Sequence, residues 1–400
     1  MERTSYIFTK DKTSCTGCGT CAQTCAHGAL TMEEDEEGFL FPSLNTEKCV
    51  DCGLCDNCCP VVNNTQVNVN YQQKYFIAAS RNRKYTLDSA TIGLCTMIAE
   101  EVIHRGGHVY AVVLEPESWV VHHIHVSDIN TLMKTRNSKY AQSNTNKSFT
   151  EIRKLLKEGE KVLFIGTPCQ VAGLKAFIKT GKERLYTIDL ICHGVYSYKL
   201  LQKEIAYWEY KYAGKVTNFK FRSKQKYGYP CGGMINFDIV RDGKIMHIER
   251  QGCSSPIYAA YAYNKFKQPF NLRLSCYNCH FREENRYGDM TVGDSKGSQR
   301  FYKQVDNLRN YFSGTSIFSL NTIQAEQMLE WVKSRLTFVT IEKKHFFNQN
   351  ALKPINRQVP EERNIIYTPP PRPPENMKSC QVKSLIRILM LLWRNGKQVI

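Results

Sequence analysis

Eight cysteines near the start of the chain constrain its fold most, because they form two copies of one spaced ligand motif. Both copies follow the pattern C-x2-C-x2-C-x3-C, which is typical of chains that bind two [4Fe–4S] clusters. In such chains three closely spaced thiolates bind one cluster, and the fourth cysteine binds the other. The two predicted ligand sets are Cys15, Cys18, Cys21 and Cys59 for one cluster, and Cys49, Cys52, Cys55 and Cys25 for the second.

The surroundings of these motifs leave some details open. Ala26 stands where a proline usually follows the first motif, whereas Pro60 follows the second. Cys58 is either a spare thiol or a competitor of Cys59 for the fourth position. Zinc is the alternative metal, but zinc sites typically use paired C-x2-C knuckles and not triplets. Residues 1–70 therefore resemble a small bacterial-type 2[4Fe–4S] ferredoxin domain, with a short hairpin between the motifs.

Composition and charge narrow the class of protein. The chain has 400 residues, of which 42% are hydrophobic and 23% charged, as in ordinary globular proteins. Its 17 cysteines occur without an apolar signal peptide at the N-terminus, so we expect a cytoplasmic chain with reduced thiols. The net charge is +17, yet residues 1–70 hold four basic and ten acidic side chains. The basic residues elsewhere form no run and no nucleic-acid-binding motif, so no nucleic-acid partner is predicted.

After residue 70 the sequence changes to short apolar strands that alternate with helices. Strands are predicted at 75–79, 107–113, 161–165 and 185–191, and the histidines at 122, 123 and 125 alternate as on the exposed face of a further strand. This rhythm of strand, helix and strand favours a largely parallel sheet covered by helices. The predicted fold class is α/β, mixed α+β overall, with the ferredoxin-like domain followed by a larger α/β domain.

Two of the predicted strands end at cysteines. Cys169 and Cys192 follow such strands, and ligands of parallel sheets lie outside the carboxyl ends of the strands. The turn at 166–168 also opens a helix, whose backbone amides could receive a phosphate group.

One more thiolate pair, Cys276 and Cys279, needs two further ligands. Spacing alone leaves two solutions open. Cys169 and Cys192 would complete an iron–sulfur site, whereas Cys231 and Cys253 or His280 would complete a zinc site.

Four ordered motifs support a family resemblance. They are Asn137–Ser143 (NSKYAQS), Lys161–Lys175 (KVLFIGTPCQVAGLK), Asp189–Gly194 (DLICHG), and Ser275–His280 (SCYNCH) with Asp289–Asp294 (DMTVGD). Together they resemble the beta subunit of coenzyme F420 hydrogenase/dehydrogenase, a family of flavin-containing iron–sulfur oxidoreductases. The resemblance covers about residues 75 to 367 and implies one continuous domain over 71–367.

The resemblance implies that this larger domain is a flavin-binding α/β domain with two cofactors. It implies a third [4Fe–4S] cluster bound by body cysteines, which favours the set Cys169, Cys192, Cys276 and Cys279. It also implies FAD, and the residues expected to bind it are Asn137, Ser138, Lys139, Tyr140, Gln142, Ser143, Gly166, Thr167, Pro168 and Gln170. His193 is a further candidate flavin contact or, equally, a structural turn residue.

The chain departs from the family pattern at two places. The segment 88–93 replaces a Ser-Ser-Gly-Gly type turn, and the segment 295–297 replaces an aromatic residue and tryptophan. Use of the deazaflavin F420 therefore stays open.

These features together predict an FAD-dependent iron–sulfur oxidoreductase. Electrons would pass between the [4Fe–4S] clusters and FAD, and then to or from a small-molecule hydride donor or acceptor or a redox partner protein. The alternatives are an electron-transfer subunit that feeds a partner enzyme without its own substrate site, and a zinc-stabilised interaction module carrying a ferredoxin. No side chain is identified as a catalytic acid or base.

The C-terminal segment 368–400 lies outside the family resemblance. Residues 368–374 are a stiff proline-rich spacer, and residues 381–397 form a predicted helix with a wide apolar face and a narrow basic stripe. Such a helix suits peripheral contact with an anionic membrane, docking on a partner, or folding back onto the body of the chain.

Overall fold

A computed structural model describes most of the chain outside its C-terminal part. The described residues are 4–63, 70–224, 234–255, 257, 261, 269, 271–295, 314–347, 358–360 and 363. The predicted proline-rich spacer and basic helix at 368–400 lie outside this set. In the part of the chain that is described, no helix is both long enough and apolar enough to cross a membrane.

The first described unit is a small α+β domain built around the two cysteine motifs. Its two strands form the predicted hairpin, in which Leu30 pairs with Leu44 and Glu34 with Leu40 in antiparallel register. Its elements are α1 (Tyr6–Thr9), α2 (Thr20–Thr24), β1 (Leu30–Glu34), β2 (Leu40–Leu44) and α3 (Leu54–Asn57).

The larger unit contains an eight-stranded mixed sheet covered by helices. Its elements are β3 (Lys74–Ser80), α4 (Arg83–Thr86), α5 (Leu94–His104), β4 (His108–Leu114), β5 (Val121–Val126), α6 (Ile129–Lys134), α7 (Ser148–Lys157), β6 (Val162–Gly166), α8 (Pro168–Phe177), β7 (Leu185–Leu190), α9 (Tyr198–Tyr212), β8 (Lys215–Lys220), β9 (Met234–Arg241), β10 (Lys244–Gln251), β11 (Met290–Asp294), β12 (Ser316–Leu320), α10 (Ile323–Val332), β13 (Leu336–Thr340) and α11 (Lys343–Phe347). Short 3-10 turns lie at Lys182–Arg184, Gly252–Ser254, Leu274–Cys276 and Lys333–Arg335.

The strand order of the large sheet is β13-β3-β12-β11-β7-β6-β4-β5. The pairs β4·β6, β6·β7 and β7·β11 are parallel, and the other four pairs are antiparallel. The expectation of a largely parallel sheet therefore holds at the centre of the sheet and is wrong for its outer strands. The strand–helix–strand rhythm holds along β4, β6 and β7, whereas β3, β12 and β13 add an antiparallel half that this rhythm does not predict.

A second, three-stranded antiparallel sheet, β10-β9-β8, packs beside α9. Its core includes Trp208 from the helix and Phe237 from the central strand, whose ring centroids lie 5.1 Å apart. The same core includes Phe39 and Phe41 from the small domain. The small domain therefore shares a hydrophobic core with the larger one, which fixes the cysteine motifs against the body.

The strand with three histidines, β5, differs from its predicted exposed face. His123 is 3% exposed, and its ring stacks on Phe164 with centroids 4.8 Å apart. Its Nε2 faces the carbonyl oxygen of Ile165 at 3.1 Å, and burial lowers its pKa to about 4. His123 is therefore a neutral core residue, because α7 covers this face of the sheet with Phe149.

Candidate iron–sulfur centres and cofactor segments

The first cavity of the small domain, here called the outer cavity, collects one predicted ligand set. Cys25, Cys49, Cys52 and Cys55 all line it. Cys25 ends α2, while the other three come from the loop and first turn of α3, whose N-cap Gly53 has a φ of 71°. A glycine suits this left-handed turn, because any side chain there would be strained.

The outer cavity lies at the protein surface. Cys52 is exposed, and the neighbouring apolar side chains Val50 and Leu54 are 58% and 49% exposed. Exposed apolar side chains beside a ligand loop are suited to contact with another protein.

The second cavity, here called the inner cavity, collects the other predicted set. Cys15, Cys18, Cys21 and Cys59 line it, together with Cys55 at its border with the outer cavity. Burial raises the pKa of Cys21 well above its usual value, and the charges of Cys18 and Cys15 raise it further. Four crowded thiolates repel one another, so this donor set fits a cluster whose iron atoms compensate that charge.

Cys58 belongs to neither lining. It is 6% exposed, its Sγ donates to the carbonyl oxygen of Cys55 at 3.3 Å, and burial raises its pKa to about 11. The structure thus places Cys59, and not Cys58, at the inner cavity.

Four further cysteines of the larger domain come together at the carboxyl edge of the parallel strands. Cys169 lies in the first turn of α8 after β6, and Cys192 follows the neighbouring strand β7. Cys276 and Cys279 come from the turn after residue 274. We call these four the body thiol set.

The thiols of the body thiol set lie near enough to influence one another's pKa. Burial raises the pKa of Cys276 to about 12, and the charges of Cys279 and Cys192 raise it further. Burial also raises the pKa of Cys169 well above its usual value, with Cys279 and Cys192 again adding to it. A side chain at Gly194 would come within 3.1 Å of the Cβ of Cys276. The donor chemistry of the set therefore fits a third cluster.

The structure describes part of the alternative zinc site. Among the residues that the structure describes, no group of three or more His, Cys, Asp and Glu side chains is arranged to hold a single metal ion. Cys231 and the side chain of Cys253 lie outside the described part of the chain.

Helix α8 connects the inner cavity to the body thiol set. It carries Cys169 in its first turn and Gly173 one turn later. A Cβ at Gly173 would overlap the hydroxyl of Thr20 and lie 3.1 Å from the Sγ of Cys18. The charge of Cys18 also contributes to the raised pKa of Cys169. The three thiol groups thus lie in the order outer cavity, inner cavity, body thiol set.

Body residues also hold the ligand loop of the inner cavity. The amide nitrogen of Gln142 donates to the carbonyl oxygen of Thr16 at 2.8 Å, and the hydroxyl of Thr145 donates to that of Cys18 at 3.0 Å. Gln142 is among the residues expected to bind FAD, and the structure places its side-chain nitrogen on the loop that carries Cys15 and Cys18. A contact between residues 126 positions apart leaves no local signal in the sequence.

The other residues expected to bind flavin lie in two stretches, 137–143 and 166–170, which are joined by hydrogen bonds at the start of α8. The amide nitrogen of Gln170 donates to both the carbonyl and the hydroxyl oxygen of Ser143 at 3.0 Å. Its Oε1 accepts from the backbone nitrogen of Thr167 at 3.1 Å, and Pro168 begins the helix. Gly166 ends β6 directly before this turn.

Lys139 faces backbone oxygens. Its Nζ donates to the carbonyl oxygens of Thr135 and Arg136 at 2.6 and 2.7 Å, just beyond the end of α6. Burial lowers the pKa of this amine to about 7.

Asn137 and Tyr140 tie the same segment to the loop after β8. The side chain of Asn137 donates to the carbonyl oxygen of Arg222 at 2.6 Å and accepts from the nitrogen of Ser138 at 2.8 Å. The ring of Tyr140 packs against Phe221, with centroids 5.6 Å apart. His193 is half-buried beside Cys192.

A group of basic residues, not singled out from the sequence, lies next to this segment. Lys224 is 4% exposed and donates to the carbonyl oxygen of Thr91 at 2.6 Å, just before α5. Burial lowers its pKa to about 7, and the charges of Arg222 and Arg136 lower it further. Arg222 pairs with Asp294 at 2.6 Å. Isolated basic residues on separate segments give no sequence signal until the fold assembles them.

Two stretches of the chain match known families. Residues 14–63 match the family described as a 4Fe-4S dicluster domain. Residues 159–344 match the family described as the C terminus of the beta subunit of coenzyme F420 hydrogenase/dehydrogenase. These matches confirm the predicted resemblance, and together with the described structure they confirm a ferredoxin-like domain followed by a larger α/β domain. The chain thus joins a stretch that matches a 4Fe-4S dicluster domain to a stretch that matches the beta subunit of coenzyme F420 hydrogenase/dehydrogenase.

Two individual relatives are similar to parts of this chain. A stretch of 168 residues is 29% identical to the coenzyme F420-dependent sulfite reductase of Methanocaldococcus jannaschii, covering 41% of this chain and 25% of that protein. A stretch of 50 residues is 36% identical to an uncharacterized ferredoxin of the same organism, covering 12% of this chain and 64% of the ferredoxin. The chain thus spans less than two thirds of either relative.

One solved structure is also similar. A chain of the F420-reducing [NiFe] hydrogenase complex from Methanosarcina barkeri matches with a TM-score of 0.39 and 12% identity, covering 83% of this chain and 94% of that one.

Proposed function

We propose that this chain is an FAD-dependent iron–sulfur oxidoreductase with three [4Fe–4S] clusters in series. The outer cavity, the inner cavity and the body thiol set would each hold one cluster. Electrons would move along this series between a partner or small-molecule substrate and the flavin. The observation that carries the proposal is the contact of α8, which bears Cys169, with Cys18 of the inner cavity.

The domain boundaries fit this arrangement. We place the dicluster domain at residues 1–70, the flavin and third-cluster domain at 71–367, and a C-terminal segment at 368–400. The shared core of Phe39, Phe41 and Trp208 supports a fixed distance between the two cluster-bearing domains, as serial electron transfer requires.

The flavin assignment is supported by the chemistry of one edge of the sheet. FAD, when bound, would exchange electron pairs with a substrate and single electrons with the clusters. Its diphosphate is anionic, and the basic residues Arg136 and Lys224 lie beside the segment 137–143, where Asp294 neutralises Arg222. The first turn of α8 would add backbone amides for the same purpose.

Lys224 offers a direct test of this flavin site. Lys224→Met should reduce flavin occupancy while the iron content stays unchanged, because the side chain lies away from every cysteine set. Lys139→Glu should also release flavin, whereas the exposed Lys154→Met should not. Full flavin occupancy in Lys224→Met and Lys139→Glu would reject this pocket.

The alternative function, an electron-transfer subunit that feeds a partner enzyme, is favoured by the exposed apolar pair Val50 and Leu54 beside Cys52. It would keep the clusters and the flavin but turn over no small hydride donor. Anaerobic assays with NADH, NADPH and reduced F420 distinguish the two functions, and the F420 assay also decides the use of that deazaflavin.

The cofactor content tests the proposed function itself. Protein purified anaerobically should hold about twelve irons and twelve sulfides per chain, one FAD and no stoichiometric zinc. About eight irons together with one zinc would instead favour the zinc-stabilised module.

A further inference from the structure

A buried arginine bridges the inner cavity and the body thiol set. Arg273 is 1% exposed, and its backbone oxygen accepts from the nitrogen of Cys276 at 2.9 Å. Its side chain points the other way, into the small domain. There Nε donates to the carbonyl oxygen of Cys15 at 2.7 Å, and Nη2 approaches the Sγ of Cys15 at 3.6 Å.

Each nitrogen of the Arg273 guanidinium has a hydrogen-bond partner where the two domains meet. Nη1 donates to the Oε1 of Gln142 at 2.8 Å, and Nη2 donates to the carbonyl oxygen of Leu40 at 3.0 Å. The guanidinium carbon lies 4.0 Å from the centre of the Phe41 ring. This geometry fixes the charge of Arg273 beside one predicted cluster ligand.

The charge of Arg273 is matched by no carboxylate among the described residues. Within the part of the chain that the structure describes, no Asp or Glu forms an ion pair with it. A buried, unneutralised cation is costly, so an anionic group nearby would stabilise it. Four thiolates around a [4Fe–4S] cluster supply such negative charge, and Cys15 is the ligand in contact.

Arg363 provides a natural contrast at the same domain contact. It is 2% exposed and donates to the carbonyl oxygen of Leu272 at 2.8 Å. Its Nη1 donates to the Oε1 of Glu37 at 2.6 Å, and its Nη2 pairs with the second oxygen of the same carboxylate. Glu37 therefore neutralises Arg363, whereas Arg273 keeps its charge available to the cluster site.

We infer that Arg273 is a positioning residue that raises the reduction potential of the inner cluster and thereby sets the direction in which electrons leave the dicluster domain. Reduction adds negative charge to a cluster, so a fixed positive charge beside its ligand favours the reduced form. The role of Arg273 extends the proposed function. It rests on that function for one step, the transfer of electrons from the inner cluster to the body thiol set.

Redox titration of the full-length protein, followed by electron paramagnetic resonance, tests this inference. The Cys52→Ser background, which disrupts the outer cluster, assigns the signal of the inner one. Arg273→Gln should lower the reduced-to-oxidised ratio of the inner cluster about tenfold at a fixed potential, which equals about 59 mV for one electron. Arg273→Lys should keep most of the wild-type potential, and Arg363→Gln should leave it unchanged.

Two results would overturn the inference. One is an unchanged inner-cluster potential in Arg273→Gln, and the other is an equal shift in Arg363→Gln, which would assign the effect to a loosened domain contact. If Arg273→Gln loses the inner cluster, the Arg273→Lys variant decides the question. A tenfold change in the reduced-to-oxidised ratio of its inner cluster, despite the conserved positive charge, would contradict a charge effect.

The same samples separate this inference from the proposed function. Their iron and flavin contents report on the third cluster and FAD, and a missing third cluster would reject the proposed series. The titration of the inner cluster would still decide the role of Arg273.

Discussion

The inner and outer cavities are built from the same cysteine motif but lie in different surroundings. The outer cavity presents an exposed Cys52 with Val50 and Leu54 beside it. The ligand loop of the inner cavity is contacted by the larger domain through Gln142 and Arg273.

This difference separates what spacing determines from what packing determines. The motif spacing selects which cysteines converge, and it does so equally for both cavities. Packing of the inner ligand loop against α8 and Arg273 then places the inner cavity between the outer cavity and the body thiol set. The outer cavity is therefore suited to exchange electrons with another molecule, and the inner one to pass them into the body.

The largest effect on this comparison is expected from Gly173, where α8 meets the inner cavity. Gly173→Ala would force its new methyl group against Thr20, and such overpacking typically costs about 1 to 3 kcal/mol. The cost should appear as a lower free energy of unfolding and as loss of the inner cluster before the outer one. Denaturant unfolding followed by iron release and by electron paramagnetic resonance measures both.

A double variant provides the control for Gly173. Thr20→Ala removes the hydroxyl that the added methyl group would overlap, so Thr20→Ala with Gly173→Ala should recover part of the lost stability. Equal stability of wild type and Gly173→Ala would show that the two domains do not pack as described.

The next effect concerns the rate at which each cluster is lost. The outer cluster should be destroyed severalfold faster by ferricyanide than the inner one, because Cys52 is exposed and the inner ligand loop is covered. Iron release should therefore occur in two phases, and Cys52→Ser should lack the fast phase. A single phase, or a fast phase that survives in Cys52→Ser, would remove the difference between the cavities.

The smallest effect belongs to a region outside both cavities. Glu204 of α9 is 1% exposed, accepts from the indole nitrogen of Trp208 at 3.2 Å, and has its pKa raised by burial from 4.5 to about 7. Because the folded state favours the protonated carboxyl, Glu204 contributes its full share to the free energy of unfolding below about pH 4.5. That contribution is lost as the pH rises through 7.

Glu204→Gln should flatten this pH dependence. Between about pH 6 and 8 the wild type should lose about 1 kcal/mol through this group, and the glutamine variant should not. The exposed Glu158→Gln should follow the wild-type profile. Parallel profiles of unfolding free energy against pH for Glu204→Gln and wild type would reject the role of this carboxyl. The clusters of both cavities should be retained in Glu204→Gln.

Much of the fold could be predicted from local sequence patterns. Alternation of apolar residues located β4, β6, β7 and the helices between them, and the cysteine spacing selected the eight residues that line the two cavities. The three-stranded sheet β8–β10 and the antiparallel half of the large sheet were missed, because strand order depends on contacts between distant segments.

The roles of single polar residues could not be predicted in the same way. Gln142 occurs in a segment that resembles a flavin site, yet its side chain reaches Thr16 and Arg273. Arg273 precedes Cys276 by three positions, and that proximity was the only available signal. Which domain such a side chain faces is decided by packing and not by its neighbours in the sequence.

Removal of the body thiol pair tests the central claim most directly. Cys276→Ser with Cys279→Ser should lower the iron content by about four while the two N-terminal clusters and the flavin remain. In stopped-flow experiments, electrons supplied to the N-terminal clusters should then reach the flavin much more slowly than in wild type. Unchanged iron content, or flavin reduction at the wild-type rate, would contradict three clusters in series.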